Sequence, residues 1–468
     1  MKTINGGFTA ATRTGLFVIA AAAVACGPAP SQPEADLSSP FFESMEIFAP
    51  IDLHVHGASV VELPNGDLMA AWFEGSGERW ADDVVIKGAR LKKGAAAWGK
   101  PFVLADTIGF PDINPVLFVD GQNRLWLLWY TVLANLWETS LPKYRISSDY
   151  MMPDGPPAWE WQEMLHVKPG DSTERGIQPG DRFVRTVEEK IEAYREYLQQ
   201  RGFFSGEGES LEQRQARWEA WVQRTLARAA GRDLMREGYE YHEDGTFTVR
   251  QMGFPLMRRI GWQTYNKPII LEGGRMIVPL YSDGFSFSLM AITEDWGETW
   301  KFSEPLVGLG NIQATLAQRA DGTLVAYMRD NGPPPKRLQV SESHDRGETW
   351  SRVEDSEIPN PGSGCDLVTL RNGNWLLVHN DTEEGRHSLA AALSTDEGKT
   401  WPFKRRLEFD SRRDEATRSH YPAVIQGSDG VLHVVYSYHH SDRTNRHRTI
   451  KYARFNEAWV RAAAAAQE

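Results

Sequence analysis

Six copies of one short pattern constrain this chain more than any other feature. Each copy is an apolar strand, a tight turn and a second strand of aliphatic and aromatic residues. They run Val60–Phe73, Val116–Tyr130, Ile269–Tyr281, Leu316–Arg329, Val368–Asn380 and Val424–Tyr438. The turns are Asn65-Gly66, Gln122-Asn123, Gly273-Gly274, Asp321-Gly322, Asn372-Gly373 and Asp429-Gly430, residue types that accept the left-handed backbone of a tight hairpin. One hairpin cannot bury a face alone, so neighbouring units must complete the core. The last four turn glycines recur at intervals of about 50 residues, the length of a four-stranded propeller blade with its loops. The expected fold is all-β, a six-bladed β-propeller over residues 49–460.

Between the second and third turns the interval swells to about 150 residues, so roughly 100 residues are inserted there. Across approximately residues 165–255 the period changes from two to between three and four. Val184, Val187, Ile191, Tyr194 and Leu198 share one helical face, and Thr186 with Glu189 reads as a capping box. A second helix is expected from Leu211 to Ala229, opened by Ser210 and Gln213. This α-helical insertion between the second and third blades could seal a blade or wall a cleft.

The first residues read as an export signal. Lys2 and Arg13 supply positive charge, Leu16 to Ala25 form a short apolar run, and Cys26 follows. About ten apolar residues are too few to span a bilayer. The segment resembles a bacterial lipoprotein signal over residues 1–26, with Cys26 the lipidated residue, and residues 27–48 read as a tether. The expectation is an exported protein held to a bacterial membrane by lipid only, facing periplasm or cell surface, with 461–468 a simple tail. Only Cys365 then remains, so the core must hold the fold without a disulfide. A net charge of −12 argues against a nucleic-acid partner.

Three segments share a more specific motif: Thr293-Glu-Asp295-Trp-Gly297-Glu-Thr299-Trp300, Ser343-His-Asp345-Arg-Gly347-Glu-Thr349-Trp350 and Ser394-Thr-Asp396-Glu-Gly398-Lys-Thr400-Trp401. In each, Asp can accept backbone N–H groups, Gly can take a left-handed dihedral and Trp can plug between sheets. The motif resembles the Asp box, or BNR repeat, of the sialidase-like superfamily. The runs Arg259–Pro268 and Val278–Asp283, with Asn114-Pro115 and Asn360–Gly364, are similar to the bacterial group called predicted neuraminidases. The boxes speak for fold, since in that family they lie at blade edges away from the active site.

The resemblance implies a site. Sialidases grip a carboxylate with three arginines, attack with a tyrosine primed by a glutamate, and protonate the leaving group with an aspartic acid. Arg329 and Arg386 match two of the arginines, Tyr421 the nucleophile, and Asp82 or Asp83 the acid, with Glu78 and His56 sharing acid–base work. Asn114, Lys267, Tyr281 and Gln313 join the arginines as substrate-binding candidates. Two departures matter. His56 stands where the family has its first arginine, and an imidazole is mostly neutral near pH 7. Gln313 stands near the place of the glutamate, and an amide cannot act as a base.

The expected function is an exo-acting glycoside hydrolase for an acidic or unusual sugar, rather than a true sialidase. A polysaccharide lyase, with Tyr and His removing a proton beside an Arg-neutralised uronate, stays open. So does a glycan-binding surface protein without catalysis. No cofactor is expected and no nucleotide or zinc motif is present. The stretch Tyr436–His440 could bind a metal, but its alternation reads as a strand leading into a loop, with His439 and His440 at the rim.

Overall fold

The computed structural model describes residues 37–169, 182–205, 210–230, 236–252, 259–412, 416–441 and 447–462. The signal and Cys26 lie outside the described residues, as do the first part of the tether and most of the tail.

Six antiparallel sheets form the ring. The first blade runs from His54–Glu62 through Leu68–Gly75 and Val85–Leu91 to Phe102–Ala105, and the second from Asp112–Val119 to Trp161–Met164. The fourth runs from Asn311–Gln318 to Glu354–Pro359 and the fifth from Asp366–Thr369 to Phe403–Phe409. All six expected hairpins are the first two strands of successive blades. The first strands of neighbouring blades touch one another, which places them around the axis. They are buried on both faces, as ring closure requires.

In the third blade the inner edge is split into Gln263–Thr264 and Ile269–Ile270, both paired with Met276–Ser282. Pro268 offers no N–H to a ladder, and residues 265–268 swing to the axis instead. There Asn266 Nδ2 donates to the carbonyls of Gln313 (3.3 Å), Ala314 (3.0 Å) and Cys365 (3.1 Å). Three blades are thereby tied by one amide.

The sixth blade is completed by the other end of the chain. Phe42–Glu46, inside the stretch expected as tether, pairs with Arg448–Phe455 and forms the blade's outer strand. This closes the ring, and Phe42 stacks on Trp459 at 4.7 Å.

The three Asp boxes fold alike. The Thr293, Ser343 and Ser394 hydroxyls each accept from the box glycine N–H at 2.8–2.9 Å and donate to the box aspartate. The aspartates in turn accept from the N–H of Thr299, Thr349 and Thr400. Although desolvation pulls the other way, these bonds, led by those from Thr400, hold Asp396 down at about 2.

The insertion lies between the second and third blades in sequence. Helix α1 spans Arg182–Gln200 and α2 spans Leu211–Ala229. The Ser210–Gln213 capping box is present. The Thr186–Glu189 box is not a cap, because α1 already runs from Arg182 and Thr186 is buried inside it. Sequence pattern placed the start a turn late because Val184 and Val187 carry the visible period while Arg182 carries none. The apolar face of α1 covers blades three and four: Phe183 meets Phe285, Tyr197 Oη accepts from Asp355 N (2.9 Å) and Lys190 Nζ reaches Trp350 O (2.8 Å). The insertion therefore seals blades, with Arg228 of α2 also reaching Glu138 at 3.4 Å.

Candidate active site

The site begins with a repeated bend. In blades one, two, four and six the first strand carries one extra residue against its partner, between His56 and Ser59, Ile113 and Val116, Ile312 and Thr315, and His420 and Ala423. The residue after each break has positive φ: Gly57 (64°), Asn114 (47°), Gln313 (57°) and Tyr421 (55°). Glycine adopts this freely; the other three store strain, which persists only where the surroundings over-determine it. At Gly57 a Cβ would stand 2.5 Å from Asn114 Oδ1, so the bare backbone makes room for its neighbour.

The bends bring distant residues together. Gln313 Nε2 donates to Tyr421 Oη (3.1 Å) and Tyr281 Oη (3.3 Å), while Asn114 Nδ2 donates to Tyr281 Oη (3.3 Å) and Tyr130 Oη (3.4 Å). Arg329 donates to Tyr421 Oη at 2.6 Å, to Gln313 Oε1 at 3.3 Å and to Asn331 Oδ1 at 2.9 Å. Arg386 donates to Gly362 O at 3.0 Å, and its other terminal nitrogen lies 3.3 Å from His420 Nδ1. The two guanidinium carbons stand 5.9 and 5.3 Å from the centre of the Tyr421 ring. Burial lowers the pKa of Arg386, Tyr421 opposes this and Arg329 adds to it. Two cations held so close favour an anion between them.

Two carboxyl groups complete the cleft. Burial raises the pKa of Glu78 against the pull of Arg79, Arg386 and Arg329, with Asp283 raising it further. Burial likewise raises Asp283 against Arg329 and Gln263. Asp283 is fixed by a reciprocal pair with Gln263, Nε2 to Oδ2 and Asp283 N to Oε1, each 3.0 Å. Asp82 and Asp83, on the same loop as Glu78, are exposed. Asp83 accepts from Ser76 N (3.0 Å) and Ser76 Oγ (2.8 Å), a loop brace. The loop presents Glu78 to the arginines instead.

Behind Tyr421 lies a histidine floor. His56 is centred 4.1 Å from the Tyr421 ring and 4.7 Å from that of His420, and His439 is 4.7 Å from His420. Burial drives His56 and His420 well below the ordinary range and His439 to about 3, so all three are neutral at pH 7. His56 therefore brings no charge to the cleft. His439 is buried rather than on the rim. Lys267 is paired with Asp366 at 2.5 Å and donates to Leu367 O.

Sequence reasoning passed over Asp283, Gln263, Tyr130 and Arg79. Asp283 carried a usable signal: it follows Tyr281 by two, the spacing that sets both on one face of a strand. Gln263 and Arg79 had none.

Comparison with known proteins now decides the family. The BNR repeat-like domain matches residues 66–174 and 264–434. This chain belongs to that family. The BNR-repeat chain is 28% identical over 127 residues to a sialidase of Bacteroides fragilis, an alignment covering 25% of this chain but only 23% of that enzyme. Among solved structures it is similar to a protein of unknown function from Dyadobacter fermentans (TM-score 0.57, 14% identity, 88% of this chain and 98% of that one). It is also similar to the intramolecular trans-sialidase of Ruminococcus gnavus (TM-score 0.54, 14% identity, 87% and 95%). These likenesses establish the sialidase-type six-bladed fold.

Proposed function

We propose that this BNR-repeat propeller is an exo-acting glycoside hydrolase for a sugar bearing a carboxylate, acting on extracellular glycans. The observation that carries the reading is the convergence of Arg329, Arg386 and Tyr421, residues from three blades, on one cleft with the half-buried carboxyl groups of Glu78 and Asp283. Arg329 and Arg386 would grip the carboxylate. Tyr421 Oη, held in place by Arg329 and Gln313, would attack the anomeric carbon, its proton passing to solvent and the new C–O bond forming as the bond to the leaving oxygen breaks. Glu78 or Asp283, each with its pKa raised by burial, would protonate the leaving oxygen. Without a glutamate beside Tyr421, an ordinary sialidase rate is not expected. The export-like first residues support a setting outside the cytoplasm, on a lipid anchor at Cys26.

A second reading, eliminative cleavage of a uronate, is supported by the His56 ring centred 4.1 Å from that of Tyr421, with Arg386 beside them able to neutralise the carboxylate. Glycan binding without catalysis is the third outcome of one test. Purified protein is incubated with sialosides, uronides and acidic polysaccharides, and the products are analysed. Hydrolysis gives a reducing sugar, elimination a product absorbing in the ultraviolet, binding neither. Replacing Arg329 with Ala abolishes turnover of any acidic substrate; full activity in that variant would remove Arg329 from the site and end the proposal.

A further inference from the structure

The three histidines behind Tyr421 have a property that neither sugar binding nor the propeller core explains. His56, His420 and His439 are buried and can each offer one ring nitrogen such that the three atoms lie within 4.8 Å of one another. Two buried ring nitrogens, His420 Nε2 and His439 Nδ1, have no hydrogen-bond partner. A buried polar atom left unpaired is destabilising, and two in one cluster ask for an occupant. The geometry points to a divalent transition-metal site, of the class that takes Zn²⁺, held by His56, His420 and His439 beside the cleft.

The surroundings of two rings suit metal ligation, where the nitrogen away from the ion donates to an outer acceptor. His439 Nε2 lies 2.9 Å from Val55 O, which can only accept, so Nε2 carries the proton and Nδ1 presents its lone pair. His56 Nδ1 lies 2.8 Å from Ser437 Oγ, a hydroxyl also taking the Gly57 N–H at 3.1 Å, which leaves Nε2 for the ion. Three imidazoles at about 2.0–2.1 Å from a tetrahedral ion stand about 3.3 Å apart, so the rings close by an ångström or so on loading. No carboxylate belongs to the cluster, which leaves the fourth position to water or to an anionic ligand.

His420 couples this site to the cleft. Its Nδ1 now faces Arg386 at 3.3 Å, and a guanidinium only donates, so the proton of neutral His420 sits on Nε2. Binding an ion at Nε2 moves that proton to Nδ1 and breaks the contact. Arg386 is then released toward the cleft, while ion and guanidinium repel one another. Metal loading and the Arg386–His420 contact exclude each other, and a carboxylate between ion and arginine relieves the repulsion.

The test needs no glycan, so it stands or falls apart from the hydrolase proposal. Protein freed of metal by chelation is titrated with Co²⁺, read by visible absorption, and with Zn²⁺, read by metal content and melting temperature. One ion per chain is expected, with a visible Co²⁺ band and a melting temperature that rises to saturation. His420→Gln and His439→Gln each weaken Zn²⁺ binding by about tenfold or more, while Arg386→Ala tightens it. His440→Gln, at a half-buried neighbour whose ring faces Glu46, leaves it unchanged and guards against misfolding as the explanation, together with circular dichroism of each variant. Wild-type protein that binds no Zn²⁺, or binds it no better than His420→Gln, overturns the assignment. So does loss of binding in His440→Gln alone.

Discussion

Replacing Asp330 with Asn should make the protein weaker near pH 4 and stronger near pH 8. Asp330 closes the strand that carries Arg329 and is almost fully buried. Burial raises its pKa from 3.8 to about 7, against Lys336 and the N–H groups of Gly332 and Arg337. The two N–H groups lie 2.7 and 3.2 Å from its oxygens. Below pH 4 both folded and unfolded chains hold the proton and the group contributes nothing to pH dependence. Between about pH 4 and pH 7 the unfolded chain has released it and the folded chain has not. Stability therefore falls as pH rises through that window, and is constant above it. A gap of about three pH units at 1.36 kcal/mol each is ~4 kcal/mol. Asn keeps the acceptor for Gly332 N but loses that for Arg337 N, at about 1 kcal/mol. The variant should trail by about 1 kcal/mol near pH 4 and lead by roughly 3 kcal/mol near pH 8. Denaturant midpoints of both proteins, taken every half pH unit, measure the difference, in which the other titrating groups largely cancel. Parallel curves would refute the reasoning and mean that Lys336 fully compensates the carboxylate.

Gln313→Glu places a carboxylate at the atom now 3.1 Å from Tyr421 Oη, and should raise any hydrolytic kcat at least tenfold; an unchanged or lower rate excludes Tyr421 as nucleophile. Because burial holds Glu78 and Asp283 protonated above the ordinary carboxylate range, the rate should fall on the alkaline side as the acid is lost, and Glu78→Gln or Asp283→Asn should erase that limb in a kcat/KM profile. Asp345→Ala removes the acceptor of Thr349 N, Glu348 N and the Ser343 hydroxyl. Since the turn is exposed, the loss should be only about 1–2 kcal/mol, seen in the denaturant midpoint with activity at the cleft intact.

The ring was legible because its signals are local. A turn such as Asp321-Gly322 or a box such as Ser343–Trp350 folds by bonds within a few residues, and those bonds are written in residue type and spacing. The cleft is written otherwise. Tyr421 and Gln313 reach each other because both occupy left-handed bends that no glycine marks, so nothing in their neighbourhoods announces the turn. Asp82, Asp83 and Glu78 are all acid–base candidates from position along the chain, and only the path of the loop distinguishes them, leaving Asp83 bonded to Ser76 and Glu78 within the field of the arginines. Lys267, expected as a substrate contact, is paired with Asp366 across the chain, a partner that its own neighbourhood does not announce.

A wheel that projects residues 114, 313 and 421 from matching kinks can exchange its reagents one spoke at a time. The kinked residue has no ladder partner, so a new side chain there leaves the rungs on either side in place. Neighbouring proteins with the same wheel are thus free to differ in what they cleave, or whether they cleave, at little risk to their folding. The limit is torsional: every non-glycine occupant of a kink is held against its preference, and a chain can carry only as many such residues as its rim can restrain.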